Sequence, residues 1–283
     1  MIMDTTREQK IFLMPRSFGT AGGPRQAPDH ADHRHSPTTF SRYVVRFLGR
    51  ADQLGPLVPA GLELRGEPVV QFQFFSLIDV PWLAGRGYNI LSMLIPVRHG
   101  SAGGDTVDGQ YQAVLWENLG DPIVTGREQM GHPKLYAQLP RPRHWNGTTY
   151  LRASWEDFTF AELELSCAAD PSREQIANII AESGAGLINH KFIPRTGDWG
   201  VADADYLTLT PLPGRSNLDD PQPMPSIKLG TGAIRFNAPD WQDMPTQYHI
   251  IQKLAALEQC SPLEAFIMEG TTYADAGDTR ILA

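Results

Sequence analysis

The chain has 283 residues, 20% of them charged and 41% hydrophobic, with a formal net charge of -8. That length builds a core that holds without covalent staples, and two cysteines, Cys167 and Cys260, are too few for a disulfide framework. The acidic balance argues against an extended phosphate-binding face, no apolar run reaches membrane-spanning length, and Asp4, Arg7 and Glu8 break up any secretory leader. The expected class is a cytoplasmic globular protein with neither nucleic-acid nor membrane partners.

Residues 1–40 read as an N-terminal arm, partly flexible or laid against another subunit. Gly22, Gly23, Pro24, Pro28 and Pro37 interrupt any period there. His30, His33 and His35 lie among Asp29, Asp32 and Arg34, a composition able to bind metal, but the spacing lacks the paired histidines of a zinc-protease helix. No metal is expected.

From residue 42 the texture changes. Residues 42–48 mix β-branched and aromatic side chains as a half-buried strand does, and residues 51–57 read as one short helical turn. Residues 69–78 alternate in part, with Gln71 and Gln73 opposite Val70, Phe72 and Phe74, so the polar face meets water or lines a polar cavity. Further strands are expected at 88–97, 111–116, 148–155, 158–165, 206–212 and 227–236, with a glycine-rich loop over 100–109. Two segments read as helical: 172–180, opening on the capping residue Ser172, and 248–257, with Ile250, Ile251, Leu254 and Leu257 on one stripe. Many strands with few helices predict a single β-rich α+β domain over 41–283, most simply a closed or nearly closed barrel.

Lysine is scarce: five in all, against 19 arginines. Lys134 follows Pro133, with Gly131 two residues before that and Leu135 and Tyr136 after, surroundings that solvate an ammonium group poorly. Desolvation favours a neutral amine, and a neutral amine attacks ketones to give an iminium, an electron sink. The same spacing also fits an exposed lysine after a turn proline. No phosphate loop, dinucleotide fingerprint, Cys-x-x-Cys pair or serine elbow is present.

Gly126-Arg127-Glu128 followed by Gly131-His132-Pro133-Lys134 resembles the signature of the acetoacetate decarboxylase superfamily, a family whose catalytic lysine is activated for attack on a ketone. Residues 57–64, 89–97 and 190–194 match other family segments in consistent order. The resemblance implies a cone-like, closed antiparallel β-barrel with a few flanking helices, an apolar cavity, a homo-oligomer and no cofactor. It assigns Lys134 as the Schiff-base nucleophile. Gln73 falls where the family carries a cavity glutamate, Ile90 in place of a second glutamate, Leu48 in place of a substrate-site arginine, and Leu135 in place of a second lysine. Candidate groups around the substrate are Gln73, Tyr88, Glu117, His132 and Tyr273, with Arg127 and Glu128 as an ion pair holding the loop or touching substrate. Lys191 reads as scaffold. The implied activity is cofactor-independent lyase chemistry on a small oxo acid, either decarboxylation of a β-keto acid or aldol or dehydration steps on a 2-oxo acid. The alternative is a barrel that binds a small ligand without turnover.

Overall fold

The computed structural model describes residues 11–23, 36–100, 106–182, 184–211, 224–272 and 279–282. The His30, His33 and His35 tract and Tyr273 lie outside them. Its fourteen strands are β1 (Thr38–Leu48), β2 (Leu62–Leu64), β3 (Val69–Val80), β4 (Arg86–Gly100), β5 (Thr106–Glu117), β6 (Lys134–Tyr136), β7 (Arg143–Trp145), β8 (Thr148–Trp155), β9 (Phe158–Ala169), β10 (Gly186–Arg195), β11 (Asp198–Pro211), β12 (Ser226–Phe236), β13 (Ser261–Thr272) and β14 (Arg280–Ile281). Four short helices accompany them: α1 (Ala51–Leu54), α2 (Gly120–Thr125), α3 (Arg173–Glu182) and α4 (Tyr248–Ala255).

The expected strands and both expected helices form. The predicted loop over 100–109 is shorter than expected, because β4 runs to Gly100 and β5 begins at Thr106. Ser172 and Gln175 cap α3 reciprocally, Gln175 N–H donating to Ser172 Oγ at 3.2 Å and Ser172 N–H to Gln175 Oε1 at 2.9 Å.

All fourteen strands belong to one sheet, ordered β14-β11-β10-β5-β4-β3-β1-β13-β12-β9-β8-β7, with β2 and β6 paired on its flank to β4 and β5. The sheet is open, which corrects the expected closed barrel: β14 and β7 are its two ends, and no pairing joins them among the described residues. β5 is the cause on one side. It pairs with β10 in parallel, through Gln110 and Tyr111, so the β10–β11 hairpin extends that arm outward instead of returning to the other.

The principal core nevertheless draws on both arms. Phe72, Trp116, Phe160, Leu163 and Ile188 are almost wholly buried in one cluster, each stabilising by roughly 1.5–3 kcal/mol relative to exposure. Trp116 Nε1 donates to Gln247 Oε1 at 2.7 Å, and Gln247 Nε2 donates to the Tyr136 carbonyl, fixing the start of α4 against β5 and β6. Among the described residues no helix is long and apolar enough to cross a membrane.

Candidate active site

The site lies on the face of β5 opposite that core. A strict alternation would not aim both halves of β5 at one place. Between Leu94↔Gln112 and Met93↔Val114 the register shifts by one residue, leaving Ala113 as a bulge. Gln110 and Gln112 before the bulge, and Leu115 and Glu117 after it, therefore all line one cavity of about 250 Å³. Tyr111, Val114 and Trp116 point into the core instead.

Lys134 enters the cavity through an unusual turn. α2 continues into a π-helical turn, Gly126–Met130, a feature frequent at functional sites. Gly131 ends it with φ +80, and a Cβ there would lie 2.6 Å from the Lys191 Cβ. Only glycine fits both demands. After Pro133, Lys134 starts β6, which runs parallel to β5 with Lys134 opposite Leu115. The lysine side chain crosses Gly126 so closely that a Cβ there would sit 2.3 Å from Cε and 2.6 Å from Nζ.

Lys134 is 7% exposed and Glu117 0%. Their Nζ and Oε1 atoms are 2.8 Å apart, and Nζ also donates to the Pro122 carbonyl at 2.9 Å. Among the described residues neither carboxylate oxygen has a well-aligned hydrogen bond, and the lysine alone offsets the cost of burying Glu117. Burial pushes the Glu117 carboxyl up, and the Lys134 charge opposes that shift without cancelling it. A carboxylate with a raised proton affinity, touching an amine, is placed to accept and return a proton.

Arg42, Phe75, Ile90 and Glu117 occupy one level of the sheet, opposite one another on β1, β3, β4 and β5. All four line the cavity, as do Gln73, Tyr88 and Leu94. Arg42 Nε donates to Gln73 Oε1 at 2.7 Å, and its guanidinium lies 5.6 Å from the Phe266 ring centre. Burial first, and the neighbouring Arg46 second, lower the Arg42 pKa to about 10. The Tyr88 phenol is raised by burial and, to a lesser degree, by Glu117. His132 also lines the cavity. Its Nδ1 meets Gln112 Oε1 at 2.7 Å and its Nε2 meets the Thr210 hydroxyl at 3.3 Å. Burial, reinforced by the Lys134 charge, lowers its pKa to about 3, so the ring is neutral with Nδ1–H donating.

Of the residues chosen from sequence, the structure thus brings together Lys134, Gln73, Tyr88, Glu117 and His132. It does not bring in Arg127 or Glu128, and they form no ion pair among the described residues. Arg127 is exposed and donates to the Lys134 carbonyl at 2.9 Å, while Glu128 uses its own carbonyl to accept Lys191 Nζ at 2.6 Å. Consecutive positions on a helical turn diverge, which keeps the two charges apart. Lys191, read as scaffold, is not among the residues lining the cavity. Leu48 does not line the cavity, so the expected loss of a cavity arginine is corrected by Arg42, six residues earlier on the same strand. Arg42, Gln110 and Gln112 were missed. The signal that singled out Gln71 and Gln73, paired amides at alternate strand positions, is repeated at Gln110 and Gln112.

The cavity thus holds a buried amine–carboxylate pair with a guanidinium at the same level of the sheet. Residues 14–257 match the acetoacetate decarboxylase family, and the chain belongs to it. No curated protein matches the chain. Among solved structures, an acetoacetate decarboxylase from Legionella pneumophila is 20% identical with a TM-score of 0.62, covering 88% of each chain. An acetoacetate decarboxylase-like enzyme from Sphingomonas wittichii is 18% identical, TM-score 0.57, over 88% of this chain and 95% of its own. The enduracididine biosynthesis enzyme MppR, complexed with the condensation product of pyruvate and imidazole 4-carboxaldehyde, is 15% identical, TM-score 0.60, over 97% of both chains. At these identities the solved structures establish a shared fold.

Proposed function

We propose that the chain is a cofactor-independent lyase acting on a small oxo acid through an iminium at Lys134. The observation that carries this reading is the 2.8 Å contact between Lys134 Nζ and the buried Glu117 inside the cavity. Glu117 takes a proton from the amine, which adds to the substrate ketone, and the resulting carbinolamine loses water to give the iminium. Arg42 holds the substrate carboxylate by charge-assisted hydrogen bonds from its Nη atoms, with Gln73 fixing the guanidinium through Nε.

From the iminium two branches conserve atoms and electrons. A β-keto acid releases carbon dioxide, its bonding pair entering the iminium to form an enamine. A 2-oxo acid loses a proton from C3 to give the corresponding enamine, which attacks an aldehyde or, where C4 carries a hydroxyl, expels it as water with a returned proton to leave an unsaturated iminium. Gln73 is an amide and moves no proton, and the neutral His132 is committed to Gln112 and Thr210, which among the described candidates leaves Glu117 and Tyr88 to exchange one. The family includes decarboxylases, and MppR is described with a pyruvate condensation product. The assembly is proposed to be a homo-oligomer.

The test is to incubate the protein with acetoacetate or pyruvate, reduce with borohydride, and locate the added mass by peptide mapping. A single adduct on Lys134 is expected. Labelling elsewhere, or none across a panel of β-keto and 2-oxo acids, overturns the mechanism.

A further inference from the structure

The end of the cavity remote from Glu117 carries chemistry that the iminium does not use. Cross-strand register separates the two ends. Glu117 lies opposite Ile90, whereas Gln112 lies opposite Leu94, four residues further along β4. At ~3.4 Å per residue the two levels are about 13 Å apart. Among the described residues, three charged side chains line the cavity, Arg42, Glu117 and Lys134, and they gather at the Glu117 level.

The far level is built differently. Gln112 is 4% exposed, and its Oε1 is taken by the His132 Nδ1–H at 2.7 Å. Its Nε2 donors have no partner among the described residues, and the side chain lines the cavity. Burial keeps His132 neutral, its pKa near 3, so the ring presents one N–H and one lone pair; Thr210 occupies the second at 3.3 Å. With Oε1 placed against the ring, the amide turns its NH2 group away from the histidine and toward the cavity it lines. The walls around it are Leu94, Leu115, Leu187 and Gly186, with His132 and Gln110, whose Nε2 donates to the Glu182 carbonyl while its buried Oε1 has no partner among the described residues. A few oriented polar groups among apolar walls are how ligand sites fix one specific polar group.

We propose that this end is a distal subsite in which Gln112 Nε2 binds an uncharged hydrogen-bond acceptor, a carboxamide or hydroxyl oxygen, so that the substrate is an oxo acid lengthened by a neutral polar tail. The inference rests on the reading above, which places the acid head at Arg42 and Lys134. The backbone levels that carry Arg42 and Gln112 are four residues apart on β4, a separation longer than a three-carbon acid. A carboxylate tail would enter an end whose lining holds no cation among the described residues, since Arg46 at the same level is paired with Glu182, and a hydrocarbon tail would leave the Gln112 donors unmet.

Six-carbon 2-hydroxy acids ending in a carboxamide, a methyl group or a carboxylate test this by titration calorimetry. Their hydroxyl replaces the ketone, so none can form an iminium and binding is read without chemistry. The carboxamide is expected to bind about three- to tenfold more tightly than the methyl compound, with the carboxylate weakest. Gln112→Leu should bring the carboxamide-to-methyl ratio close to one. So should Gln112→Glu, which keeps the shape and the acceptor for His132 but removes the donor. Thermal melting identifies which variants are folded. Equal or tighter binding of the methyl compound by the unaltered protein, no binding of any of the three, or a preference that survives in a folded variant overturns the proposal. Carboxamide preference without a borohydride adduct would sink the iminium and leave the subsite standing. An adduct on Lys134 without the preference would do the reverse.

Discussion

Gly126→Ala separates the stability of the fold from the chemistry of the site. Gly126 has φ -65 and ψ -41, ordinary helical values that alanine adopts without strain, and alanine in a helical turn is favoured over glycine by about 0.5–1 kcal/mol. The new methyl group would lie 2.3 Å from Lys134 Cε, 2.5 Å from Cδ and 2.6 Å from Nζ. Carbon atoms rest at about 3.5–4.0 Å, so the lysine must retreat by more than ~1 Å. Every atom struck belongs to the free end of a flexible side chain, which moves far more easily than backbone. In moving, Nζ gives up both the 2.8 Å contact to Glu117 and the 2.9 Å hydrogen bond to the Pro122 carbonyl.

The lost buried contacts cost about 1–3 kcal/mol, partly offset by the helical gain and by Glu117, whose raised proton affinity lets it become neutral. Unfolding by urea should therefore change by no more than about 2 kcal/mol in either direction. Displacing a reacting atom by 1 Å costs on the order of a hundredfold in rate, so the rate of borohydride-trapped adduct formation should fall by about that factor. Trapping within threefold of the unaltered protein would show that Lys134 reacts from some other position, and the site geometry would lose its support. An unfolded variant would refute the premise that only the lysine yields.

Three further outcomes follow from the same geometry. The folded-state pKa of His132 lies below its unfolded value of about 6.5, so its contribution to stability is complete above that value and is lost as pH falls toward the folded value of about 3. Between pH 6.5 and 5 the loss is roughly 2 kcal/mol, and urea unfolding at both pH values should show a drop smaller by that amount in His132→Gln; equal drops in both proteins would refute it. Glu117→Gln removes the group that accepts the lysine proton and should slow adduct formation by about a hundredfold at pH 7, read by the same trapping assay; an unchanged rate would assign proton transfer elsewhere. Arg42→Leu should raise the pyruvate concentration needed for half-maximal trapping by about 10- to 100-fold while leaving trapping of neutral acetone within a few-fold, and a parallel change for both ketones would remove Arg42 from carboxylate binding.

Much of this fold can be read locally, and what cannot be read shares a physical cause. β3, β8 and β9 show themselves by alternation of β-branched and aromatic residues, and α3 by the side-chain exchange between Ser172 and Gln175. β13 is harder to read, since it starts Ser261-Pro262 and carries Glu264 and Glu269, yet it is held on both sides by β1 and β12. Its strand character comes from those partners more than from its own side chains. The open sheet turns on the parallel pairing of β5 with β10, two segments far apart in sequence whose meeting leaves no local mark. Lys134 is legible because its chemistry depends on a short motif. Arg42 hides in a strand where Arg42 and Arg46 read as ordinary surface charges, although Arg46 is buried against the Phe266 ring and paired with Glu182.

The extra residue in β5 ties these observations together. A regular strand of this length presents residues of one parity to each face, and Gln110 and Gln112 would then share a face with Val114 and Trp116. Trp116 fills the main core, and two glutamines beside it there would be buried amides competing for few partners. The bulge at Ala113 resolves the conflict by letting parity change midway. Glu117 and Leu115 come to face the lysine, the two amides face the same hollow from lower down, and the aromatic residue remains in the core. A single inserted position thus lets one strand serve both a packed interior and a polar cavity, and it sets the distance between the charged end of that cavity and the neutral one.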